Sequence, residues 1–215
     1  MDATVTVTDT DDVGGETIAI EFSTPAGFSA RPGQFVKLTA SVDGESYSRF
    51  YTLSSSFVDE TFEITVGIDP DDAGPFSEYL AALSPGDELA MSGPFGADYY
   101  EDEPRVVVLA GGPGIGPAVG IAERALADGG QVAIVYQDAT PAHTERLSAL
   151  EAAGASVTLV DDTGAAFTDA VETAVGGERD QQVFIYGFAD FLAAAETALE
   201  TAGGDPSDAK TENFG

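Results

Sequence analysis

Cysteine and tryptophan are absent from this chain of 215 residues, histidine occurs once, and only eight residues are lysine or arginine. Without cysteine the chain has no disulfide bond, no thiolate zinc site, no cysteine-ligated iron–sulfur cluster and no thiol nucleophile. So few cations cannot build the basic surface that nucleic acid requires. No apolar run approaches the ~20 residues that a membrane span needs. We therefore expect neither nucleic-acid binding nor membrane insertion.

Acidic residues, in contrast, are abundant: 38 aspartates and glutamates, spread along the whole chain, give a formal net charge of −30. This composition resembles an adaptation to molar salt in the cytoplasm, as in halophilic archaea. At 1 M salt the Debye length is ~3 Å, so the mutual repulsion of surface carboxylates is screened. We hypothesise that folding depends on salt. Because the first residues show neither the basic nor the apolar segment of a signal peptide, we also expect a cytoplasmic protein.

The first half of the chain has the sequence pattern of a small antiparallel barrel. Apolar and polar residues alternate, as in half-buried strands, over residues 3–9, 16–22, 34–40, 46–53, 61–68 and 87–92. Turn-forming pairs such as Pro32-Gly33 and Asp43-Gly44 separate these runs. One helical pattern, from Phe76 to Leu83, interrupts the series. We predict an antiparallel six-stranded β-barrel over residues 1–100.

The pattern changes after Glu101-Asp102-Glu103-Pro104, which we predict to be the domain boundary. The run from Val106 to Ala110 is continuously apolar, which is typical of a strand buried on both faces of a parallel sheet. Further elements then alternate: a helix to about Ala127, strand 131–136, helix 142–152, strand 156–160, helix 165–175, strand 183–187 and helix 189–202. We predict an α/β domain with a doubly wound parallel sheet over residues 104–215.

A glycine-rich turn, Gly111-Gly112-Pro113-Gly114-Ile115-Gly116-Pro117, joins the first strand of this second domain to its first helix. Glycines allow a tight turn and close backbone approach, and a helix N-terminus offers free N–H groups and the positive end of the helix dipole. Pro117 occupies the place of the third glycine in the usual G-x-G-x-x-G pattern, where its missing N–H costs nothing. We predict a dinucleotide phosphate site here, and the alternative is a purely structural turn.

In the predicted barrel, the segment Arg49-Phe50-Tyr51-Thr52-Leu53-Ser54-Ser55 places one of the few cations beside aromatic and hydroxyl groups. The planar guanidinium of arginine suits phosphate oxygens, tyrosine offers a flat face, and the small hydroxyls are hydrogen-bond donors and acceptors. This combination fits a ligand with a phosphate, a polyol and a flat ring. The alternative is a barrel strand whose arginine pairs with a nearby carboxylate.

Three other groups of residues are weaker candidates. Gly74-Pro75-Phe76-Ser77 begins the short helix, so its amides and the Ser77 hydroxyl offer either a second anion site or an ordinary helix cap. We expect His143 to be a surface residue rather than a catalytic base. The acidic pairs Asp71-Asp72 and Asp161-Asp162 are expected to be solvated carboxylates, and we predict no metal site.

Taken in order, these motifs resemble the ferredoxin–NAD(P) reductase superfamily. The resemblance rests on the barrel and on the patterns Arg-x-Tyr-Thr-x-x-Ser, Gly-x-x-Ser at a helix start, Gly-Pro-Phe-Gly and Gly-Gly-x-Gly-Ile-x-Pro. It also includes Pro32-Gly33-Gln34-Phe35 and the terminal Glu212-Asn213-Phe214, and it covers essentially the whole chain. It implies a flavin-binding barrel domain followed by a domain that binds a nicotinamide nucleotide.

The resemblance implies a role for each matching residue. Arg49 would hold the flavin pyrophosphate, Tyr51 would pack on the isoalloxazine ring, and Thr52 would hydrogen-bond near flavin N5, which receives the hydride. Tyr51 and Thr52 are therefore the candidate catalytic residues. The other candidate cofactor-binding residues are Phe50, Ser55, Gly74, Phe76 and Ser77 in the barrel, and Gly111, Gly112, Gly114, Ile115, Gly116, Pro117, Asp138, Gly187, Phe188 and Phe214 in the nucleotide domain.

Two segments depart from the family pattern. Many relatives have Cys-Gly-Pro where this chain has Tyr186-Gly187-Phe188, so the details of the nicotinamide pocket stay open. NADP-specific relatives usually place an arginine just after the second strand of the nucleotide domain, where this chain has Tyr136-Gln137-Asp138-Ala139-Thr140. Because Asp138 would repel a 2′-phosphate and can accept a hydrogen bond from a ribose hydroxyl, NAD(H) is favoured over NADP(H).

The resemblance implies a flavin-dependent oxidoreductase that passes a hydride from NAD(P)H to bound FAD and then electrons to a separate acceptor such as ferredoxin. FAD is favoured over FMN because the Arg49 motif serves a pyrophosphate in relatives, although Arg49 could also hold a single phosphate. Two alternatives stay open. One is an NAD(P)H:flavin reductase that uses flavin as a diffusible substrate, and the other is a non-catalytic electron-transfer subunit of a larger complex.

Overall fold

The computed structural model describes residues 1–68, 74–177 and 180–215, which form two sheets with helices packed against them. The pair Asp71-Asp72 lies outside the described residues, whereas Asp161 and Asp162 are exposed, as predicted. Within the described ranges, no helix is both long enough and apolar enough to cross a membrane.

The first sheet is antiparallel and six-stranded, which confirms the prediction from the alternating pattern. Its strands are β1 (Asp2–Gly14), β2 (Thr17–Ser23), β3 (Phe35–Val42), β4 (Glu45–Thr52), β5 (Thr61–Gly67) and β6 (Glu88–Phe95), in the order β4-β3-β6-β1-β2-β5. The two outer strands meet where Leu53, directly after β4, bridges Ile64 on β5. Helix α1 (Pro75–Ala81) buries Phe76 and Leu80 in the core of this barrel.

The second sheet is parallel and five-stranded. Its strands are β7 (Arg105–Gly111), β8 (Gln131–Gln137), β9 (Ser156–Val160), β10 (Gln182–Gly187) and β11 (Lys210–Asn213), in the order β11-β10-β7-β8-β9. Helices α2 (Ile115–Ala127) and α3 (Thr144–Ala152) pack on one face, and α4 (Ala165–Val175) and α5 (Ala189–Thr201) pack on the other. This arrangement confirms the doubly wound α/β prediction, and β11 is a strand that the sequence pattern did not predict.

The order of the second sheet places the glycine-rich turn at its centre. Strand β7 lies between β10 and β8, and all five residues from Val106 to Ala110 are fully buried, as the continuous apolar run predicts. A 3₁₀ turn over Gly112–Gly114 then leads directly into α2. Ligands of open α/β sheets bind at the carboxyl ends of the strands, so this turn lies where a nucleotide site is expected.

Helix α2 also packs on the barrel, and this contact brings the two domains together. Gly116 and Gly120 face the barrel, because a Cβ on Gly116 would collide with Thr65 and a Cβ on Gly120 would collide with the carbonyl of Ser54. These two glycines, one helical turn apart, let the helix approach the segment that follows β4. The beginning of α2 and the end of β4 therefore lie side by side.

Candidate active site

A cleft of about 470 Å³ lies between the barrel and the parallel sheet, within the size range of small-molecule sites. It brings together nine of the predicted site residues from distant parts of the chain: Arg49, Phe50, Tyr51, Thr52, Ser77, Pro117, Asp138, Phe188 and Phe214. The other described residues that line it are Gly15, Glu16, Thr17, Thr65, Val66, Gly67, Ile68 and Pro113.

Arg49 is the only basic residue among the described residues that line the cleft. Its side chain is exposed, and its guanidinium donates a hydrogen bond to the carbonyl of the preceding Ser48 at 2.9 Å. In the part of the chain that the structure describes, no carboxylate lies within ion-pair distance of Arg49. As far as the described residues go, the remaining donors of Arg49 are therefore left for an anionic ligand.

Tyr51 lines the cleft and packs against the barrel core. The ring lies against Phe76 of α1, with centroids 6.4 Å apart and an interplanar angle of 31°. Burial raises the pKa of Tyr51 to about 12, so the phenol stays neutral. Phe76 is 3% exposed and belongs to the barrel core, so it supports Tyr51 and does not line the cleft. Ser77, one residue later, does line the cleft, and the exposed Gly74 caps the helix without a side-chain bond.

Thr52 is hydrogen-bonded to a residue near the end of the chain. Its hydroxyl donates to Glu212 of β11 at 2.7 Å. Burial raises the pKa of Glu212 to about 7, with a smaller contribution from the charge of Asp98, and the bond from Thr52 opposes this rise. While Glu212 is ionised the hydroxyl proton of Thr52 points to it, whereas a protonated Glu212 can donate to Thr52 and free that proton to turn to the cleft.

Phe188 and Phe214 border the cleft on the side of the parallel sheet. Their rings meet edge to face with centroids 6.4 Å apart, and Phe188 is 52% exposed. The amide of Phe214 donates to the carbonyl of Gly187 at 3.0 Å, which holds the end of the chain beside β10. Tyr186, which replaces the cysteine of many relatives, is 1% exposed and packs between Phe184 and Phe214 outside the cleft.

The residues of the glycine-rich turn lie in different surroundings. Gly112 has φ of 53° and no atom within 4 Å of the position of a Cβ, so its backbone is open to a ligand.

Other residues of the turn are tightly packed. A Cβ on Gly111 would collide with Phe191, and a Cβ on Gly114 would collide with the carbonyl of Tyr186. Ile115 is fully buried in the core. Gly111, Gly114, Ile115 and Gly116 are therefore packed inside the structure, and of the turn only Pro113 and Pro117 line the cleft.

Two of the predicted barrel residues pack mainly on the barrel: Phe50, which also lines the cleft, and Ser55, which does not. The ring of Phe50 is 60% exposed and packs edge to face against Phe35 and Phe95, at centroid distances of 5.5 and 6.1 Å. The hydroxyl of Ser55 accepts a hydrogen bond from the amide of Glu63 at 2.6 Å and pins the loop after β4 to β5. In the nucleotide domain, Gly187 packs closely against Phe191.

Two carboxylates line the cleft. Asp138 follows β8 and accepts hydrogen bonds from the amide of Thr140 at 2.9 Å and from the hydroxyl of Tyr136 at 3.2 Å. Glu16, in the turn between β1 and β2, lines the same cleft from the barrel. A doubly charged phosphate on a bound ligand would be repelled by these carboxylates.

The prediction that His143 is a surface residue is wrong. Its side chain is 4% exposed, and Nε2 lies 2.9 Å from the Thr65 hydroxyl on β5, inside the contact between the two domains. Its backbone has φ of 53°, and its amide donates a hydrogen bond to the carbonyl of Val13 on β1 at 2.8 Å. The turn before α3 therefore packs against the barrel. Burial lowers the pKa of His143 to about 4, and the ring is neutral at physiological pH.

Several cleft residues were not predicted from the sequence. Thr17, Thr65 and Pro113 line the cleft, and Glu212 lies directly behind Thr52. Pro113 stands inside the predicted glycine-rich turn and could have been included on that ground. Glu212 is one of 38 acidic residues, so its type carries no signal, and only its place beside Phe214 marks it.

Comparisons with known proteins agree with this arrangement. Residues 4–100 match the family of oxidoreductase FAD-binding domains. A probable dihydroorotate dehydrogenase B electron transfer subunit from Methanopyrus kandleri is 40% identical over 93 residues, which cover 43% of this chain and 32% of that protein. The glycine betaine monooxygenase reductase subunit of Chromohalobacter salexigens is 43% identical over 99 residues, covering 43% and 26%. The matched part is thus a third or less of these relatives' length.

Solved structures share the fold over the whole chain. A cytochrome P450 reductase from Amycolatopsis superposes with a TM-score of 0.81 at 24% identity, covering 100% of this chain and 70% of that one. A ferredoxin NADP⁺ reductase from Neisseria gonorrhoeae with bound FAD and NADP superposes with a TM-score of 0.77 at 18% identity, covering 100% and 99%. At these identities the likeness establishes the two-domain fold.

Proposed function

We propose that this chain, whose residues 4–100 match the oxidoreductase FAD-binding family, is an FAD-dependent NAD(P)H oxidoreductase that delivers electrons to a separate acceptor. The observation that carries the proposal is the cleft itself. It unites a cation that has no carboxylate partner among the described residues, a tyrosine ring and a buried threonine hydroxyl from the barrel with the glycine-rich turn and two phenylalanines of the second domain. Each of these groups suits one part of a flavin or a nicotinamide dinucleotide.

The residues of the chain position the reactants, and the flavin, when bound, supplies a ring that accepts a hydride and releases single electrons. Arg49 binds the phosphates of FAD, and Ser77 adds a hydroxyl donor near the start of α1. Tyr51 stacks on the ring, and Thr52 hydrogen-bonds at its reactive edge. On the other side the open backbone of Gly112 binds the dinucleotide phosphates, and Phe188 and Phe214 enclose the nicotinamide.

A visible spectrum of the purified protein in molar KCl tests this proposal. The protein as isolated, or after incubation with FAD, is expected to show bound flavin absorption that bleaches on anaerobic addition of NADH and, more slowly, of NADPH. A protein that binds flavin without bleaching by either nucleotide would contradict the proposed reaction. A colourless protein that oxidises NADH only when free flavin is supplied would instead identify a flavin reductase.

We propose that NADH is the preferred donor because the cleft carries Asp138 and Glu16 where a 2′-phosphate would need a cation. The variant Asp138→Asn keeps the acceptor for the Thr140 amide but removes one charge. It is expected to lower the ratio of kcat/KM for NADH to that for NADPH about tenfold. Steady-state kinetics with an artificial acceptor measures this ratio. Asp161→Asn, an exposed position outside the lining of the cleft, is the matched control and should leave the ratio unchanged.

The electron acceptor is proposed to be a protein such as ferredoxin, because a chain without cysteine holds no ferredoxin-type cluster of its own. A second candidate is an electron-transfer component of a larger complex, since the matched relatives include proteins described as an electron transfer subunit and a reductase subunit. Turnover of NADH by the isolated chain with ferricyanide favours the first. No turnover with any acceptor would favour a component that works only inside its complex.

We also propose that the protein works in a salt-rich cytoplasm. A net charge of −30 makes the surface carboxylates repel one another at low ionic strength, and molar salt removes this repulsion. The melting temperature is therefore expected to rise by about 10 °C or more from dilute buffer to molar KCl. Differential scanning calorimetry across a KCl series checks this, and a melting temperature that does not change with KCl would contradict it.

A further inference from the structure

One arginine of helix α3 makes ionic contacts with both domains. Arg146 pairs with Glu123 of α2 in its own domain, with Nε 2.7 Å from Oε1 and Nη2 2.9 Å from Oε2. Its other bonds reach the barrel, where Nη1 lies 2.8 Å from Glu63 Oε1 and Nη2 lies 2.9 Å from the Ser54 carbonyl oxygen. Because the two-point pairing with Glu123 fixes the plane of the guanidinium, the direction of the bonds to the barrel is fixed as well.

A second set of hydrogen bonds crosses between the domains at the same place. His143 Nε2 lies 2.9 Å from Thr65 Oγ1, which in turn lies 2.6 Å from Ser54 Oγ. All three side chains are buried, and Ser54 is not exposed at all. The Ser54 carbonyl thus accepts a hydrogen bond from Arg146, and the Ser54 hydroxyl is linked to His143 through Thr65, so α3 and the turn before it both contact this residue.

Helix α2 packs on the same residue. A Cβ on Gly116 would lie 2.9 Å from the Ser54 hydroxyl, and a Cβ on Gly120 would lie 2.7 Å from the Ser54 carbonyl oxygen, so neither position has room for a side chain. Since Ser54 follows Thr52 by two residues and α2 begins directly after the Gly112–Gly114 turn, these contacts connect the two halves of the cleft. They therefore fix the position of the turn relative to Thr52.

We propose that Arg146 is a positioning residue that holds the nucleotide domain against the barrel at the separation that hydride transfer requires. This inference rests on the proposed function. Hydride transfer needs its donor and acceptor atoms ~3–3.5 Å apart, and a displacement of about 1 Å costs about 100-fold in rate. Arg146 does not line the cleft, so its removal leaves the binding groups for both cofactors in place and changes the distance between them.

The test compares Arg146→Met with Arg105→Met in the flavin-loaded protein in molar KCl. Arg105 is a matched control, because its guanidinium bonds Gln181, Gln131 and the Ala174 carbonyl, all within the nucleotide domain. Stopped-flow absorbance under anaerobic conditions gives the rate of flavin bleaching at saturating NADH and the dissociation constant of NADH. Arg146→Met is expected to lower the rate about tenfold or more, with flavin content unchanged and the dissociation constant within about threefold. The isotope effect with 4-deuterated NADH should rise.

A measurement without turnover accompanies the kinetics. Hydrogen–deuterium exchange of the flavin-loaded proteins without nucleotide is expected to increase in Arg146→Met over β5 and the first turns of α2, and to stay unchanged in α4. Arg105→Met is expected to show the opposite pattern, with its change confined to the nucleotide domain around Ala174.

Arg146→Lys is a second variant that tests the proposal even if Arg146→Met does not fold. Lysine keeps the charge but cannot bond Glu123, Glu63 and Ser54 from one planar group, so about a threefold or greater loss of rate is expected. A wild-type bleaching rate in either Arg146 variant overturns the proposal, as does a loss of rate explained wholly by weaker NADH binding. If the wild-type protein is not bleached by either nucleotide, the proposed function has failed, and the exchange data still decide whether Arg146 fixes the domains.

Discussion

Replacing Arg49 by alanine is expected to weaken FAD binding about 100-fold, corresponding to about 3 kcal/mol, because the cleft then loses the one basic group among its described lining residues. An arginine binds phosphate with charge-assisted hydrogen bonds in a planar fork, which water and a neighbouring serine cannot replace. The surrounding protein has a formal charge of −30, so the phosphates gain no compensating attraction from elsewhere on the surface. Purified Arg49→Ala should therefore contain much less flavin than the wild type.

Lys37→Ala is the matched control for this loss of one positive charge. Lys37 lies on β3, next to β4, and is not among the residues that line the cleft. Fluorescence titration of the flavin-free proteins with FAD in molar KCl gives both dissociation constants. Arg49→Ala with a dissociation constant close to that of Lys37→Ala, or a variant that is isolated fully yellow, would contradict the assignment of Arg49 to the phosphates.

The alternation of the barrel strands and the apolar run of β7 predicted the two kinds of sheet. A strand buried on one face alternates apolar and polar residues, and a strand buried on both faces is continuously apolar. Strand β11 (Lys210–Asn213) shows neither pattern. Its four residues are polar, three of them half-buried and Asn213 exposed, and the strand exists because residues of β10 such as Ile185 and Tyr186 pair with it. Strands that depend on a partner's backbone rather than on apolar side chains cannot be recognised from their own residues.

Three of the candidate residues that line the cleft were chosen because their residue types are informative in this sequence. Arg49 is one of few cations, and Tyr51 and Thr52 stand beside it, while their roles stay predictions. His143 was misjudged because the sequence shows a turn before a helix, and only the packing of the two domains buries that turn. Glu212 was quoted in the terminal motif but given no role, because it is one of 38 acidic residues and only its burial behind Thr52 raises its pKa.

The burial of Glu212 should make the stability of the protein depend on pH, and Glu212→Gln should remove this dependence. Burial raises the pKa of Glu212 from the ordinary range of a glutamate to about 7, so the folded protein binds the proton more tightly than the unfolded chain. The stability that the neutral Glu212 carboxyl contributes is fully present below the pKa that Glu212 has in the unfolded chain. It is lost as the pH rises through the pKa of about 7 in the folded protein. Since each pKa unit corresponds to about 1.4 kcal/mol, a rise to about 7 lowers the stability by at most about 3 kcal/mol at alkaline pH.

Glutamine keeps an oxygen that accepts the bond from Thr52 and has no charge to bury. The free energy of unfolding of Glu212→Gln relative to the wild type is therefore expected to rise by about 2–3 kcal/mol between about pH 5 and about pH 8. Urea unfolding in molar KCl at several pH values measures this difference. Glu196→Gln, an exposed position on α5, controls for the lost charge, and its difference from the wild type should stay nearly constant.

A flat difference for Glu212→Gln across this pH range would mean that Glu212 is not held in a desolvating environment behind Thr52. A rising difference would have a consequence for the reaction as well. A carboxyl group that changes its protonation near pH 7 switches the Thr52 hydroxyl between accepting and donating a hydrogen bond at the cleft. The rate of flavin bleaching by NADH in wild type should then follow the titration of Glu212, and in Glu212→Gln it should lose that dependence on pH.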